Sequence, residues 1–471
     1  MISRRFLPLV LLVIISISCF CSFAKEGYHI KVNINGLKDT TSILAYYYGN
    51  NQYIKDTAYV DSKGFFEFKG DSTLGKGMYM IVLPGQQYFD IIIDNDQFFE
   101  INSELKDISG KLTFKGSAEN SSFYEYLRTL KPFSDNISEL RKIMNELELG
   151  TERRESVLKQ IKDIEDKVHS LQQDFIKQNP NGLFSAVLKA QQIVPVPEPP
   201  MKADGTPDRE LLYYLFLDEY WKNVDLKDER LLRTPIFHQK LNQFFSSVAI
   251  QIPDSIITAA DRLINKTRGN DEIFKYVVWF VMNLSERSNI MGMDALFVHM
   301  AEKYYMSGDA FWVSEEQLDR ISKRAIAQKP LLIGAVAPDI TVFTPERKTI
   351  SLHEIESKYL VLYFWDSDCS HCKKVTPKLK DVYNKMNNNE LKVFAVNTEA
   401  SREDWLNYVE KNNLNWINVH DPVNTSGFRE KYDLFAVPII YVLDKDKKII
   451  AKKINPEQLE ELISHYERMN K

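Results

Sequence analysis

Cysteine is scarce in this chain: four in 471 residues, and two of them, Cys19 and Cys21, lie in its first two dozen. The pair that remains, Cys369 and Cys372, cannot staple a scaffold, because small disulfide-held domains need several crosslinks. A bridge between neighbours so close in sequence closes almost no loop and stabilises little through chain entropy. Structural zinc lacks a second Cys pair or a His pair to complete four ligands. The eight histidines form no HExxH or comparable pattern. No metal and no cofactor is expected, and the lone CxxC asks for a chemical explanation.

Positive charge is also in short supply. Sixty basic residues against 65 acidic ones leave a net charge of −5, which gives no electrostatic reason to hold a phosphate backbone, so nucleic acid is excluded as an expected partner. Long apolar runs are missing beyond the opening segment. With 44% hydrophobic and 27% charged residues, the chain reads as globular rather than disordered or polytopic. Its length suggests roughly three domains at about 150 residues each.

The opening runs Arg4-Arg5, then largely apolar from Phe6 to Ile17, with small residues at Ser22-Phe23-Ala24. That is the layout of a signal peptide over residues 1–24, implying export to the periplasm or cell envelope. The apolar stretch falls short of the roughly 20 residues that span a bilayer. Lipid anchoring through Cys19 is the less favoured alternative, since Ser16 stands where a lipobox usually has Leu.

Residues 25–118 alternate like strands, as in Ile30, Val32 and Ile34, with Gly, Asn and Asp between them, which predicts an antiparallel β-sandwich. Asp94-Asn95-Asp96 lacks the spacing of a calcium loop and reads as a turn. From 119 to 330 the pattern turns helical. Val157, Ile161, Ile164, Val168, Leu171 and Phe175 line one helix face. Such a seam serves packing on a neighbouring helix more often than pairing of two chains, and the oligomeric state stays open. Phe216, Tyr220, Trp221, Phe274, Tyr276, Trp279 and Phe280 read as core. From 331 to 471 strands at 359–364, 392–396 and 439–443 alternate with helical stretches, implying βαβ units. The expected fold is therefore α+β and multidomain, with a sandwich, a helical middle region and a C-terminal α/β domain.

In that last domain the strand from Tyr359 runs straight into Asp366-Ser-Asp368-Cys369-Ser-His371-Cys372 and then a helix. A CxxC at a strand-to-helix turn puts its first sulfur where unpaired N–H groups and the helix dipole favour an anion. The thiolate is the reactive species, so Cys369 is the expected nucleophile. Cys372, one turn on, is placed to resolve a mixed disulfide.

Residues from about 333 to 470 resemble the thioredoxin superfamily, and more narrowly the TlpA-like exported disulfide reductases. The resemblance rests on Gly334-Ala-Val-Ala-Pro338-Asp339, Phe364-Trp365, Pro377, Ala395-Val-Asn397 and Val437-Pro438. It implies a thioredoxin-like domain in which Pro438 is cis beside the CxxC, and a client-binding surface formed by Trp365, Val437 and Pro438. It also implies disulfide-containing protein clients and a membrane-bound electron donor. Two departures stand out. Tyr363 and Val375 occupy positions where relatives often carry an acid that assists the resolving thiol. Asp368 replaces a frequent Trp, and its charge opposes the thiolate, whereas a protonated His371 favours it. The front of the chain, with Asp61-Ser-Lys-Gly64-Phe-Phe-Glu-Phe68 and Lys115-Gly-Ser-Ala-Glu-Asn120, is similar to β-sandwiches that precede thioredoxin modules in exported proteins of Gram-negative bacteria.

Three functions remain in view. The first is an exported thiol–disulfide oxidoreductase acting mainly as a reductase. The second is a thiol peroxidase, which would want Thr where Asp366 stands. The third is an envelope binding or scaffolding protein whose redox module is accessory.

Overall fold

The computed structural model describes residues 26–386, 390–398, 401–434 and 436–469. The expected leader and Cys19 lie outside the described residues. Among the described residues no helix is long and apolar enough to cross a membrane. The chain forms two compact units, one of residues up to 188 with 230–235, the other of 189–229 with 236 onward. The helical middle of the sequence is thus divided between them.

The first unit is built on two four-stranded sheets. One has the order β4-β1-β7-β8, from Phe65–Gly70 (β4), Tyr28–Asn35 (β1), Phe98–Glu104 (β7) and Thr113–Lys115 (β8). The other has the order β3-β2-β5-β6, from Asn51–Val60 (β3), Thr40–Tyr48 (β2), Gly77–Val82 (β5) and Tyr88–Ile93 (β6). Ile30, Val32 and Ile34 are fully buried while the residues between them are not, as the two-residue period of a strand requires. Pairing is antiparallel throughout the two sheets except at β1 and β7, which run parallel. The purely antiparallel expectation is corrected there, because a pairing between the first and a late strand needs no tight hairpin.

The Asp61–Gly64 turn shows how local chemistry fixes a hairpin. Asp61 accepts hydrogen bonds from the Lys63 and Phe65 amides at 2.8 and 2.9 Å. Gly64 sits at φ +85, where a Cβ would come within 2.1 Å of the Ile34 carbonyl oxygen, so only glycine fits. Asp94 ends a strand in ion pairs with Lys76 at 2.8 Å and Arg230 at 2.7 Å. After a short helix α1 (Ile108–Lys111), helices α2 (Ala118–Glu146) and α3 (Glu152–Gln178) pair, bridged by Arg141 and Glu165 at 3.1 Å. Val157, Ile161, Ile164 and Phe175 are the buried face of α3.

The second unit begins in helix α4 (Leu183–Gln191) and continues through α5 (Arg209–Glu219), α6 (Pro235–Gln243), α7 (Pro253–Thr267), α8 (Asp271–Arg287), α9 (Asp294–Met300) and α10 (Glu315–Gln328). Tyr220, Trp221, Phe274, Tyr276 and Phe280 are core, while Trp279 is exposed. Asp261 of α7 ties this layer together by accepting hydrogen bonds from His299, Lys303 and Tyr304.

A seven-stranded sheet follows, in the order β10-β9-β13-β12-β11-β14-β15. Its strands are Thr341–Phe343 (β9), Thr349–Ser351 (β10), Tyr359–Trp365 (β11), Leu391–Asn397 (β12), Ile417–His420 (β13), Ile439–Asp444 (β14) and Ile449–Lys452 (β15). Every residue of β11 is buried, because both sheet faces are covered. Tyr359, Val361, Tyr363 and Trp365 enter one core with helices α11 (Cys372–Lys385), α12 (Arg402–Lys411) and α14 (Leu459–Met469). Leu360, Leu362 and Phe364 enter the other, with the 331–355 segment and the short helix α13 (Phe428–Lys431). β11 pairs parallel with β12 and antiparallel with β14. Lys452 of β15 is buried against Asp294 and also donates to the Leu331 carbonyl.

Candidate functional site

The site forms where β11 ends and α11 begins. The turn between them brings Cys369 to the start of α11, and the Cys372 amide donates to the Cys369 sulfur at 3.4 Å. The unpaired first-turn N–H therefore faces the first sulfur, as the strand-to-helix placement predicts. The Cys369 carbonyl in turn accepts from the Lys373 amide at 3.0 Å. Cys369 is half-buried and Cys372 fully buried, and both are free thiols.

Val437–Pro438 is a cis peptide. It places the Val437 carbonyl 3.6 Å from the Cys369 sulfur, which donates to it. The structure thus brings Cys369, Cys372, Val437 and Pro438 into one locus from segments nearly seventy residues apart.

Burial pushes the Cys372 thiol up to about 12, a rise that its contact with Cys369 reinforces and the Asp366 amide opposes. That amide donates to the Cys372 sulfur at 3.5 Å. The deeper sulfur is thereby held protonated while the shallower one meets solvent.

Three of the other expected residues fall into place differently. Trp365 is fully buried and stacks on Tyr363 at 6.2 Å between ring centroids, so it supports the motif from beneath and presents no face to a client. The expectation of a client-binding Trp365 is corrected, because β11 is covered on both sides. Asp368 is 88% exposed and paired with Lys373 at 3.1 Å, and its amide donates to the Asp366 carboxylate at 2.7 Å. His371 is exposed, and its ring makes no hydrogen bond among the described residues.

The sequence pattern did not point to a cluster of hydroxyls next to Cys372. Tyr363 bonds Thr376 at 2.9 Å, both buried. Tyr408 of α12 lies close to Thr376 and rests its ring against Trp365 at 5.3 Å. Thr376 sits one helical turn after Cys372, and this i, i+4 spacing was the available signal.

Chemically the arrangement offers an accessible sulfur, a buried partner thiol one turn away, and a carbonyl that flanks the first sulfur. A thiol–disulfide exchange through a mixed disulfide fits all three.

Comparison with known proteins agrees. The profile of the AhpC/TSA family matches residues 333–452, and two domains of unknown function, DUF4369 and DUF5106, match residues 28–123 and 157–329. The thiol-disulfide oxidoreductase ResA of Bacillus cereus is 24% identical over 143 residues, covering 30% of this chain and 81% of its own. Sporulation thiol-disulfide oxidoreductase A of Bacillus subtilis is 26% identical over 105 residues, 22% of this chain and 62% of its own. Among solved structures, a thioredoxin-like protein from Bacteroides caccae is 21% identical, spans 58% of this chain and 100% of its own, and has a TM-score of 0.46. With its CxxC at the end of the central strand, the C-terminal part of this chain is a thioredoxin-like domain similar to the thiol–disulfide oxidoreductases.

Proposed function

We propose that the protein is an exported thiol–disulfide oxidoreductase that reduces disulfides in protein clients of the periplasm or cell envelope, with a membrane-bound donor restoring its dithiol. Cys369 attacks the client disulfide, and Cys372 then attacks the mixed disulfide and releases the reduced client. The observation that carries this reading is the asymmetry of the pair. One sulfur is reachable and receives an N–H, while the other is buried and protonated until it is needed. The Val437 carbonyl beside Cys369 gives an extended client chain a backbone acceptor next to its own disulfide.

The test is insulin reduction by the mature chain with a chemical reductant. Cys369→Ser is expected to abolish turnover, and Cys372→Ser to accumulate a mixed disulfide with the client. Retained turnover in Cys369→Ser would overturn the reading. The direction of net reaction follows from the potential of the pair in defined glutathione buffers. A value near about −270 mV supports a reductase, and one near about −120 mV would make the protein an oxidant of its clients.

A further inference from the structure

The dithiol cycle just proposed, on which this inference rests, leaves one proton without an obvious route. Cys372 must become a thiolate to attack the Cys369 mixed disulfide, yet no part of it reaches solvent. Neither Val375, one turn on along the helix, nor Tyr363 of the central strand supplies a carboxylate: Val375 is apolar and Tyr363 is a phenol.

What surrounds it instead is a line of hydroxyls. Tyr363 enters the Cys372 core from β11, and its oxygen bonds the Thr376 hydroxyl at 2.9 Å. Thr376, buried, is one turn beyond Cys372 on α11. Tyr408 lies close to the same Thr376 from α12, its ring 5.3 Å from that of Trp365. Tyr408 is only half-buried, and the exposed Lys373 ammonium acts on it. The line therefore starts in the core beside the resolving sulfur and ends at the surface. Both phenols are close enough to Cys372 for its charge to act on them.

We propose that Tyr363, Thr376 and Tyr408 form a proton relay that carries the Cys372 proton to solvent during resolution. Each hydroxyl is at once donor and acceptor, so the relay needs no charged intermediate at rest. Cys372 gives its proton to the Tyr363 oxygen, directly or across one water. The Tyr363 proton passes to Thr376, that of Thr376 to Tyr408, and that of Tyr408 to water. The Cys372 electron pair then forms the bond to Cys369 as the Cys369–client bond breaks, and the departing client sulfur takes a proton from solvent. One S–S bond forms, one breaks, and no proton is gained or lost overall.

The ionisable groups around the relay are few. The Asp366 carboxylate also acts on Cys372 but is engaged by the Asp368 amide. Lys373 faces Tyr408 and pairs with Asp368. Cys369 completes the set. Asp366 is the one rival acceptor.

The test uses the full chain, reduced, mixed rapidly with the aromatic disulfide 5,5′-dithiobis(2-nitrobenzoate). Attack by Cys369 releases one nitrothiolate and resolution by Cys372 releases the second, so the two steps are read separately. Tyr363→Phe and Thr376→Val are expected to slow the second phase at neutral pH by about a hundredfold, the lower end of proton-transfer catalysis. The first phase keeps its rate, and Thr376→Ser restores the second. The second phase in the unaltered protein also carries a solvent deuterium isotope effect that Tyr363→Phe diminishes. If Thr376→Val does not fold, Tyr363→Phe and Tyr408→Phe, each losing a single oxygen, carry the comparison. A second phase within about twofold of the original in these variants overturns the relay, as does a slowing found in Asp366→Asn alone. Absence of the first phase would instead sink the Cys369 mechanism itself.

Discussion

Charge beside a sulfur decides how readily it stays reduced, and Asp368 and Lys373 set that charge together. Asp368 alone would oppose a Cys369 thiolate, but Lys373 lies 3.1 Å from it and cancels much of its field. Removing the lysine leaves the carboxylate uncompensated, destabilises the thiolate and so disfavours the reduced pair. Lys373→Met is therefore expected to move the reduction potential to more negative values, and Asp368→Asn to less negative ones. Both side chains face water, so salt screens them, and each shift is small beside the ~30 mV of a tenfold change in the exchange equilibrium. Glutathione titrations at low and high salt check both sign and screening. Trp365 is the residue-scale lesson. The resemblance to disulfide reductases implied a client surface there, but the unbroken apolar run Tyr359–Trp365 already signalled a strand buried on both faces.

Elements held by remote partners leave weaker traces in sequence than elements with a period of their own. The α3 seam was legible from its spacing alone. β13, β9, β10 and β15, of three or four residues each, were not, since strands so short are defined by what they pair with. Asp261 is another such case, because the groups that hold it come from 38 to 43 residues away. Burial would raise its carboxyl, but hydrogen bonds from His299, Lys303 and Tyr304 outweigh that and bring it down to about 2 from an ordinary 3.8. A folded value below the unfolded one means stability that is complete above about pH 4 and lost as the pH falls through about 2. The difference corresponds to roughly 2 kcal/mol for a side chain mostly shielded from water. Asp261→Asn is expected to destabilise the helical layer by about 1–2 kcal/mol at neutral pH. Near pH 2 the two proteins should converge. Urea unfolding at the two pH values measures both quantities.

At the scale of the whole molecule, the change from strand to helix pattern near residue 119 was plain, but the grouping of the chain into two units was not. Residues 230–235 show why. They belong with the sandwich, where Leu231 and Leu232 are buried and the Leu232 carbonyl accepts from the Gly49 amide at 2.8 Å, although their neighbours on both sides belong to the other unit. A fragment cut at 189 would therefore carry two bare leucines. A cut at 331 avoids them. Both cores of the redox domain are made of residues from 331 onward, and the groups bonded to the two sulfurs come from Asp366, Cys372 and Val437. Residues 331–471 alone are thus expected to fold and to give both phases with the aromatic disulfide at the rates of the full chain. Their stability is expected to be lower, since Lys452 loses Asp294 and a buried layer opens to water. Loss of the first phase in a folded fragment would mean that helical residues before 331 complete the site. Unchanged phases, combined with slower reduction of a folded protein client, would place the contribution of those helices in client handling rather than in sulfur chemistry.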